Sequence, residues 1–501
     1  MKLSEEHLMV RNNVRHRLWD EKTQNIRKDI KEMIIKYEFH GAPFPWEWVH
    51  AMAEINLTGI NIPAEYGGVE MDNLSGVLAM IEMARVWSGG ALVLGVGNSL
   101  VGYPLSKFGS KNQKEAYLPR LATGKILGSF GLTEPDNGSD AGGIKTFAEK
   151  ITGGWLANGQ KQFITNVPVA EFIILFARTN RQETGYKGIT AFLPHLLRPT
   201  PPSLTIPLPD HKLGNHAAHM GKIFFDNYHL FESSLFGEYE KGFGIAMSTL
   251  AHGRNWIAAQ AVGVMEHAYE LAMWQANERI AFGEPLIVHS DIYNPVAELA
   301  MAIDISKILL FYSAKLEDEN KEFYPYASLA KLYSSKSARR LVQKAARIYG
   351  GSGYVMESEI TPLVADSVIF DVYEGTSEVQ KGIILEAWFK SKLKLPCYVE
   401  HFGLEQYKRE LQQEMGGTNF LKLHDQQFPS QIAGILPLVA AWYLLKHEFA
   451  KDYPKNFMNY KDPSLLQSLI FDKLREEWPS RTRAKTKYLW KDAIGYLKKN
   501  Q

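Results

Sequence analysis

Apolar residues recur at helical spacing through the first part of the chain, as in Met33, Ile34 and Tyr37 and again in Leu78, Ile81, Met83 and Val86. Breaks fall at Pro43, Pro45 and Tyr66-Gly67-Gly68. The pattern predicts a helical domain over residues 1–125. From about Ser129 the texture changes to short β-rich runs, Phe172-Ile173-Ile174-Leu175-Phe176-Ala177 and Lys222-Ile223-Phe224-Phe225, separated by Gly, Pro and Asn clusters. These predict a small β domain over 126–240. After Gly242-Phe243-Gly244 long helical patterns return, at 257–277 and 296–317, and predict a helical bundle over 241–392. The expected fold is mainly α with a central β domain, followed by a helical extension over 393–501 that carries breakers at Gly416-Gly417 and a basic end over 473–499.

Composition narrows the picture. A chain of 501 residues has room for about three domains, and 45% hydrophobic content rules out wholesale disorder. Lys plus Arg number 56 against 55 Asp plus Glu, so no overall field draws the protein to nucleic acid or an anionic membrane. The single cysteine, Cys397, can form neither an internal disulfide nor a Cys-rich zinc site. The histidines lack H-x-x-x-H spacing, so no metal site is expected. The N-terminal MKLSEEHLMVRNNVRHRLWDEK has no uninterrupted apolar stretch of the secretory kind, and the expected location is cytoplasmic. The longest apolar run, 432–445, is interrupted by Pro437 and is shorter than the roughly 20 residues of a bilayer-spanning helix. It reads as a buried helix or an interfacial segment.

Three stretches carry candidate chemistry. Phe130-Gly131-Leu132-Thr133-Glu134-Pro135-Asp136-Asn137-Gly138-Ser139-Asp140 is a loop whose small residues and hydroxyls allow close approach to a polar ligand; an Asx-rich turn has the same composition. Gly159-Gln160-Lys161-Gln162-Phe163-Ile164-Thr165-Asn166 sets an aromatic ring two residues from a hydroxyl, which suits a flat ring system with a hydrogen-bonding edge, although alone it is an ordinary strand. Ile348-Tyr349-Gly350-Gly351-Ser352-Gly353-Tyr354, followed by Val372-Tyr373-Glu374-Gly375-Thr376-Ser377-Glu378-Val379-Gln380, offers glycines for backbone approach to a phosphate or sugar. Neither G-x-G-x-x-G after a strand nor a P-loop occurs, which disfavours Rossmann and P-loop chemistry.

Taken in order, LTEPDNGSD, KQFITN, Arg279-Ile280-Ala281-Phe282-Gly283-Glu284-Pro285-Leu286, and YGGSGY with VYEGTSEVQ resemble the motifs of the acyl-CoA dehydrogenase flavoproteins over about residues 1–392. The resemblance implies a helical N-terminal domain, a β-barrel-like middle domain and a C-terminal four-helix bundle, with FAD between the last two. It also implies that Leu132 and Thr133 meet the flavin pyrimidine edge, that Phe163 packs on the ring and that Thr165 hydrogen-bonds near N5. Ser139 would touch the CoA arm. Arg279, Phe282, Gly350 and Gly351 would hold the adenine and pyrophosphate portion across a subunit interface, in a homodimer or homotetramer, with Thr376 and Glu378 completing the adenosine side.

The base follows from chemistry. Taking an α-proton from an acyl thioester needs a carboxylate near a polarised carbonyl, with a pKa raised by burial. Glu374 fits, and Gly375 beside it leaves the Glu374 N–H open to donate to the thioester oxygen. The family's alternative base position, just before the arginine of Leu250-Ala251-His252-Gly253-Arg254, is held here by Gly253, which has no side chain. Arg254 reads either as an orienting group for the thioester or CoA arm, or as half of a structural ion pair.

The chain departs from many relatives at Arg347 and Ser290, where they carry Gln, and at Glu359-Ile360-Thr361-Pro362-Leu363 and Ala365, which replace the usual Pro, acidic and Arg residues while Asp366 is retained. The extension loosely resembles a membrane-associating segment of longer relatives; a domain packed on the bundle is the preferred reading. The expected function is FAD-dependent α,β-dehydrogenation of an acyl-CoA to the 2-enoyl-CoA in fatty acid metabolism, with electrons passed to an electron-transferring flavoprotein. An acyl carrier protein thioester, a flavin oxidase or monooxygenase on the same fold, and a non-catalytic scaffold protein remain open alternatives.

Overall fold

The computed structural model describes residues 3–393 apart from positions 21 and 24, and beyond them 427–447, 449, 458–459 and 463–477. The first layer is α1 (Glu5–Leu18), α2 (Lys28–Glu38), α3 (Trp46–Ala53), α4 (Asn73–Val86), α5 (Ser88–Gly95), a π-helical turn over Val96–Gly102, α6 (Tyr103–Phe108) and α7 (Lys111–Ala122). Side chains placed by the sequence start several of these. The Ser4 hydroxyl accepts from the His7 N–H, Asp72 accepts from the Ser75 N–H, and Ser110 forms a reciprocal capping box with Gln113. Apart from Asn73 and the half-buried Arg85, every residue of α4 is buried, so this helix runs through the core rather than along its edge.

The middle layer is a sheet of β1 (Gly128–Gly131), β2 (Phe147–Ile151), β3 (Gly154–Thr165), β4 (Phe172–Arg178), β5 (Ile189–Phe192), β6 (Leu204–Thr205), β7 (Met220–Phe231) and β8 (Leu235–Phe236). Its order is β6-β7-β3-β2-β4-β5-β8, with β1 parallel to β4. The long antiparallel pair β3–β7 is interrupted by irregularities between Ala157 and Gly159 and between Lys161 and Ile164, and the second of these reorients the strand at Phe163.

The third layer is the bundle of α8 (Gly242–Glu278), α9 (Ser290–Asp318), α10 (Tyr324–Ile348), α11 (Ile360–Ser367) and α12 (Ser377–Phe389), with a short hairpin of β9 (Ile280–Ala281) and β10 (Glu284–Pro285) after α8. One hydrophobic core is shared by the N-terminal helices and the bundle, and a second lies inside the sheet layer.

Of the extension, α13 (Gln427–His447) and α14 (Pro463–Glu477) are described. The run 432–445 belongs to α13, which packs on α9, α10 and α12 with Leu436, Leu438, Val439, Leu444 and Leu445 buried, so it is a buried helix. The Asn459 N–H donates to Asp304 Oδ1 at 2.8 Å, and Lys473 of α14 reaches Glu298 of α9 at 3.5 Å. No described helix is long and apolar enough to cross a membrane. Cys397, Gly416-Gly417 and most of the basic end lie outside the described residues.

Candidate active site

Between the 3-10 turn Val368–Asp371 and α12 the chain makes a tight connection through Tyr373, Glu374, Gly375 and Thr376. Glu374 and Gly375 both have left-handed backbones, at φ 56° and 92°. For a glutamate this costs about 1–2 kcal/mol, so neighbours must hold it. Three do. Gln380 Nε2 donates to both the Glu374 and Gly375 carbonyls at 3.0 Å, Lys331 Nζ donates to the Gly375 carbonyl at 2.7 Å, and Arg254 Nε donates to the Glu374 carbonyl at 3.4 Å. The Thr376 hydroxyl accepts from the Val379 N–H and caps α12. The Glu374 N–H donates to none of the described residues.

This turn aims the Glu374 side chain at α8, where it ends against Gly253. Its Oε2 is sealed from solvent without a hydrogen-bond partner. Burial raises the carboxyl to about 8, against the pull of the Arg254 and Lys331 charges. Arg254 is itself buried, and its bonds to the Glu374 carbonyl and to Ser328 Oγ, at 3.4 and 3.5 Å, are long. Burial lowers it to about 10 and the Glu374 charge raises it. Arg254 thus touches the candidate base through its backbone carbonyl and acts on its carboxyl through charge. A carboxyl group of raised pKa, with one oxygen buried and unpartnered, beside a free N–H is equipped to accept a proton from a weakly acidic C–H next to a carbonyl that the N–H polarises.

Tyr373 anchors the turn from its other side. Its hydroxyl donates to Gln260 Oε1 at 2.7 Å; Gln260 Nε2 donates to Ser88 Oγ at 3.1 Å; Ser88 Oγ donates to Asn215 Oδ1 at 2.8 Å; and the Asn215 N–H donates to Asp366 Oδ1. The Asp366 retained in the divergent stretch is thus a buried acceptor for the sheet layer, while Glu359 in the same stretch pairs with Lys31 of α2.

A second cluster forms where β1 runs into its loop. Lys161, wholly buried in β3, donates from Nζ to the Leu132 carbonyl at 3.0 Å and to Glu134 Oε1 at 2.8 Å. Glu134 also accepts from the N–H groups of Lys145 and Thr146, and the Gln162 N–H donates to the Thr133 carbonyl. Burial lowers Lys161 to about 8, opposed by Glu134. Leu132 and Thr133 are thereby fixed against β3, on which the left-handed Phe163, at φ 60°, turns its ring outward to 55% exposure and Thr165 is half-buried. Ser139 is exposed in the same loop.

The remaining residues lie elsewhere. Arg279 caps the end of α8, and Phe282 projects from the hairpin at 97% exposure. The end of α8 is about 36 Å along the helix from Arg254, at 1.5 Å per residue. Gly350 and Gly351 lie at that same end of the bundle, because the neighbouring Tyr349 hydroxyl donates to the Leu271 carbonyl, and a β-carbon at either glycine would meet nothing within 4 Å. Glu378 is exposed on the first turn of α12. Glu374, Gly375, Thr376 and Arg254 thus form one group, Leu132, Thr133, Phe163 and Thr165 a second, and Arg279, Phe282, Gly350 and Gly351 share a distant end. Sequence reasoning passed over Glu134 and Lys161 inside quoted motifs, and over Lys331, Gln380 and Gln260. For Lys331 a signal existed: it is in helical phase with Ala327, Ser334 and Ala338 on the buried face of α10.

Sequence models of the acyl-CoA dehydrogenase N-terminal, middle and C-terminal domains match residues 4–125, 129–228 and 240–389. The human mitochondrial short-chain specific acyl-CoA dehydrogenase is 38% identical over 68% of this chain and 82% of its own length. The caffeyl-CoA reductase-Etf complex subunit CarC of Acetobacterium woodii is 34% identical over 77% of this chain and 98% of its own. The structure of butyryl-CoA dehydrogenase from Megasphaera elsdenii superposes with a TM-score of 0.72 at 32% identity, covering 77% of this chain and 99% of that one.

Proposed function

Because the chain belongs to the acyl-CoA dehydrogenase family, whose members are FAD-dependent oxidoreductases acting on CH–CH groups, we propose that it oxidises a short acyl-CoA to the 2-enoyl-CoA with Glu374 as the base. The observation that carries this reading is the Glu374 carboxyl: buried and unpartnered at Oε2, raised to about 8 and seated against a glycine. The short chain length is supported by the relatives, one short-chain specific and one a butyryl-CoA dehydrogenase.

The residues present fit the cofactor. An outward aromatic ring at Phe163 on a strained backbone and the half-buried Thr165 offer a face and a hydrogen-bonding edge, and Leu132 and Thr133 are held in place by Lys161. When bound, FAD supplies the acceptor for the hydrogen and electron pair leaving the β-carbon. The protein does the rest. The Glu374 N–H donates to the thioester oxygen, which acidifies the α-carbon; Glu374 takes the α-proton; and the electrons of that C–H bond form the new C=C bond. The charges of Arg254 and Lys331 oppose the burial that raises the carboxyl and so favour its ionised, proton-accepting form. Arg279, Phe282, Gly350 and Gly351 are too far along α8 to reach the same flavin as Glu374 within one chain, which supports a homo-oligomer in which they serve a neighbour's cofactor. The Etf complex subunit among the relatives supports an electron-transferring flavoprotein as acceptor. The near-neutral charge and the single cysteine fit a cytoplasmic location.

The test is the visible absorption spectrum of the purified protein, recorded anaerobically before and after a panel of acyl-CoA thioesters. Bleaching of the flavin bands by short acyl-CoA, lost in Glu374→Gln with the yellow colour retained, is the expected result. Bands untouched by every acyl-CoA would end this reading in favour of an acyl carrier protein thioester, or of an oxidase or monooxygenase acting on another substrate, and a protein that takes up no flavin would end it in favour of a scaffold.

A further inference from the structure

Lys331 points from α10 into the bundle with no exposed surface. Burying a lysine is costly unless its charge is used. Among the described residues no carboxylate lies within ion-pair distance of it. Its one bond goes to the Gly375 carbonyl, at 2.7 Å, and that carbonyl already accepts from Gln380. A neutral donor thus holds the turn before Lys331 is counted. What the lysine adds is positive charge one residue from Glu374.

We propose that Lys331 is a positioning residue for the base: it clamps the Glu374–Gly375 turn from α10 and, with Arg254 on α8, biases the Glu374 carboxyl towards its ionised form. The inference rests on Glu374 being the base. The charged groups facing Lys331 are Asp371 from the preceding turn, Glu378 from α12, Glu374 itself and Arg254, and only Lys331 and Arg254 are cations acting on Glu374. Burial lowers Lys331 to about 7 and raises Glu374 to about 8, and each charge opposes the shift of the other. Removing one nearby cation moves a carboxyl up by about one unit or more.

The decisive measurement is the pH titration of the Glu374 carboxyl by difference infrared spectroscopy on the full-length protein, the band being identified by its loss in Glu374→Gln. This readout needs no turnover. In Lys331→Met the band titrates at higher pH than in the wild type, most clearly on the acid side where Lys331 is protonated; in Lys331→Arg, which keeps the charge, it does not move up. Under anaerobic reduction by butyryl-CoA, Lys331→Met then slows at neutral pH, by less than about tenfold because Lys331 at about 7 is only partly charged there, and the wild-type rate is recovered towards higher pH. Should Lys331→Met not fold, Lys331→Gln removes the same charge and gives the same shift. A band in the charge-removing variant that titrates with the wild type overturns the proposal, whatever its thermal stability. A wild type that no thioester reduces overturns the dehydrogenase reading instead, and the infrared shift still decides the role of Lys331.

Discussion

The carboxyl group of Glu374 rests on the α-carbon of Gly253: a β-carbon there would stand 2.8 Å from both Oε1 and Oε2. The two positions that the resemblance offers for a base therefore meet in space, and in this chain only one of them carries a carboxylate. Gly253→Ala forces the carboxyl aside without touching its chemistry. The expected outcome is a fall of about 100-fold in the rate of anaerobic flavin reduction at unchanged flavin content. Reduction at the wild-type rate would mean that the geometry at Glu374 is slack.

The pH dependence of kcat/KM follows from the raised carboxyl. The base works ionised, so the rate rises with pH and its ascending limb in the free enzyme lies near about 8. A profile already level near about pH 5 would place an ordinary, solvated carboxylate in this role. The limb disappears in Glu374→Gln, where the residual rate falls at least about 10³-fold.

Lys161 and Glu134 form a buried ion pair with side chains 0% and 5% exposed. Lys161→Met leaves a buried carboxylate with only two backbone N–H donors and removes the anchor of the Leu132 carbonyl. The expected loss is about 3–5 kcal/mol in denaturant unfolding, with weakened flavin retention. Replacing both partners by apolar residues, Lys161→Met with Glu134→Leu, recovers most of the stability but not the flavin retention.

Much of the architecture was legible because periodicity is local. Leu78 and Ile81 lie in α4, and Phe172 to Ala177 lies in β4, because apolar residues at helical spacing and short β-rich apolar runs report the element directly. Glu374 and Arg254 were legible as candidates, and Gly253 as a position that cannot supply a base. Their contact was not, since one lies in a turn and the others mid-helix, and only bundle packing joins them. Lys331 and Gln260 were missed for a related reason. A lysine or glutamine in a helix reads as solvated, and its burial depends on which neighbouring element covers that face.

Asp366 offers a stability test. Burial first, and then the neighbouring Glu38, hold its carboxyl well above the ordinary 3.8. A carboxyl raised by folding contributes stability that is fully present below its unfolded value and is lost as pH rises through the folded one. Asp366→Asn keeps an acceptor for the Asn215 N–H and removes this loss. Its Tm relative to the wild type should therefore climb from acidic to alkaline pH; a constant difference would show that Asp366 is ionised throughout.

The hydrogen-bonded path from Tyr373 through Gln260, Ser88 and Asn215 to Asp366 crosses from the catalytic turn to α8, to the N-terminal helices, to the sheet layer and back to the bundle. Hinged separation of any layer would strand a buried polar atom at about 1–3 kcal/mol for each contact broken. The amide of Asn215 should then exchange with solvent as slowly as those of the bundle interior, and rapid exchange there would betray a swinging sheet layer. The turn that carries Glu374 is thus tied to all three layers at once, so its position registers a disturbance in any of them.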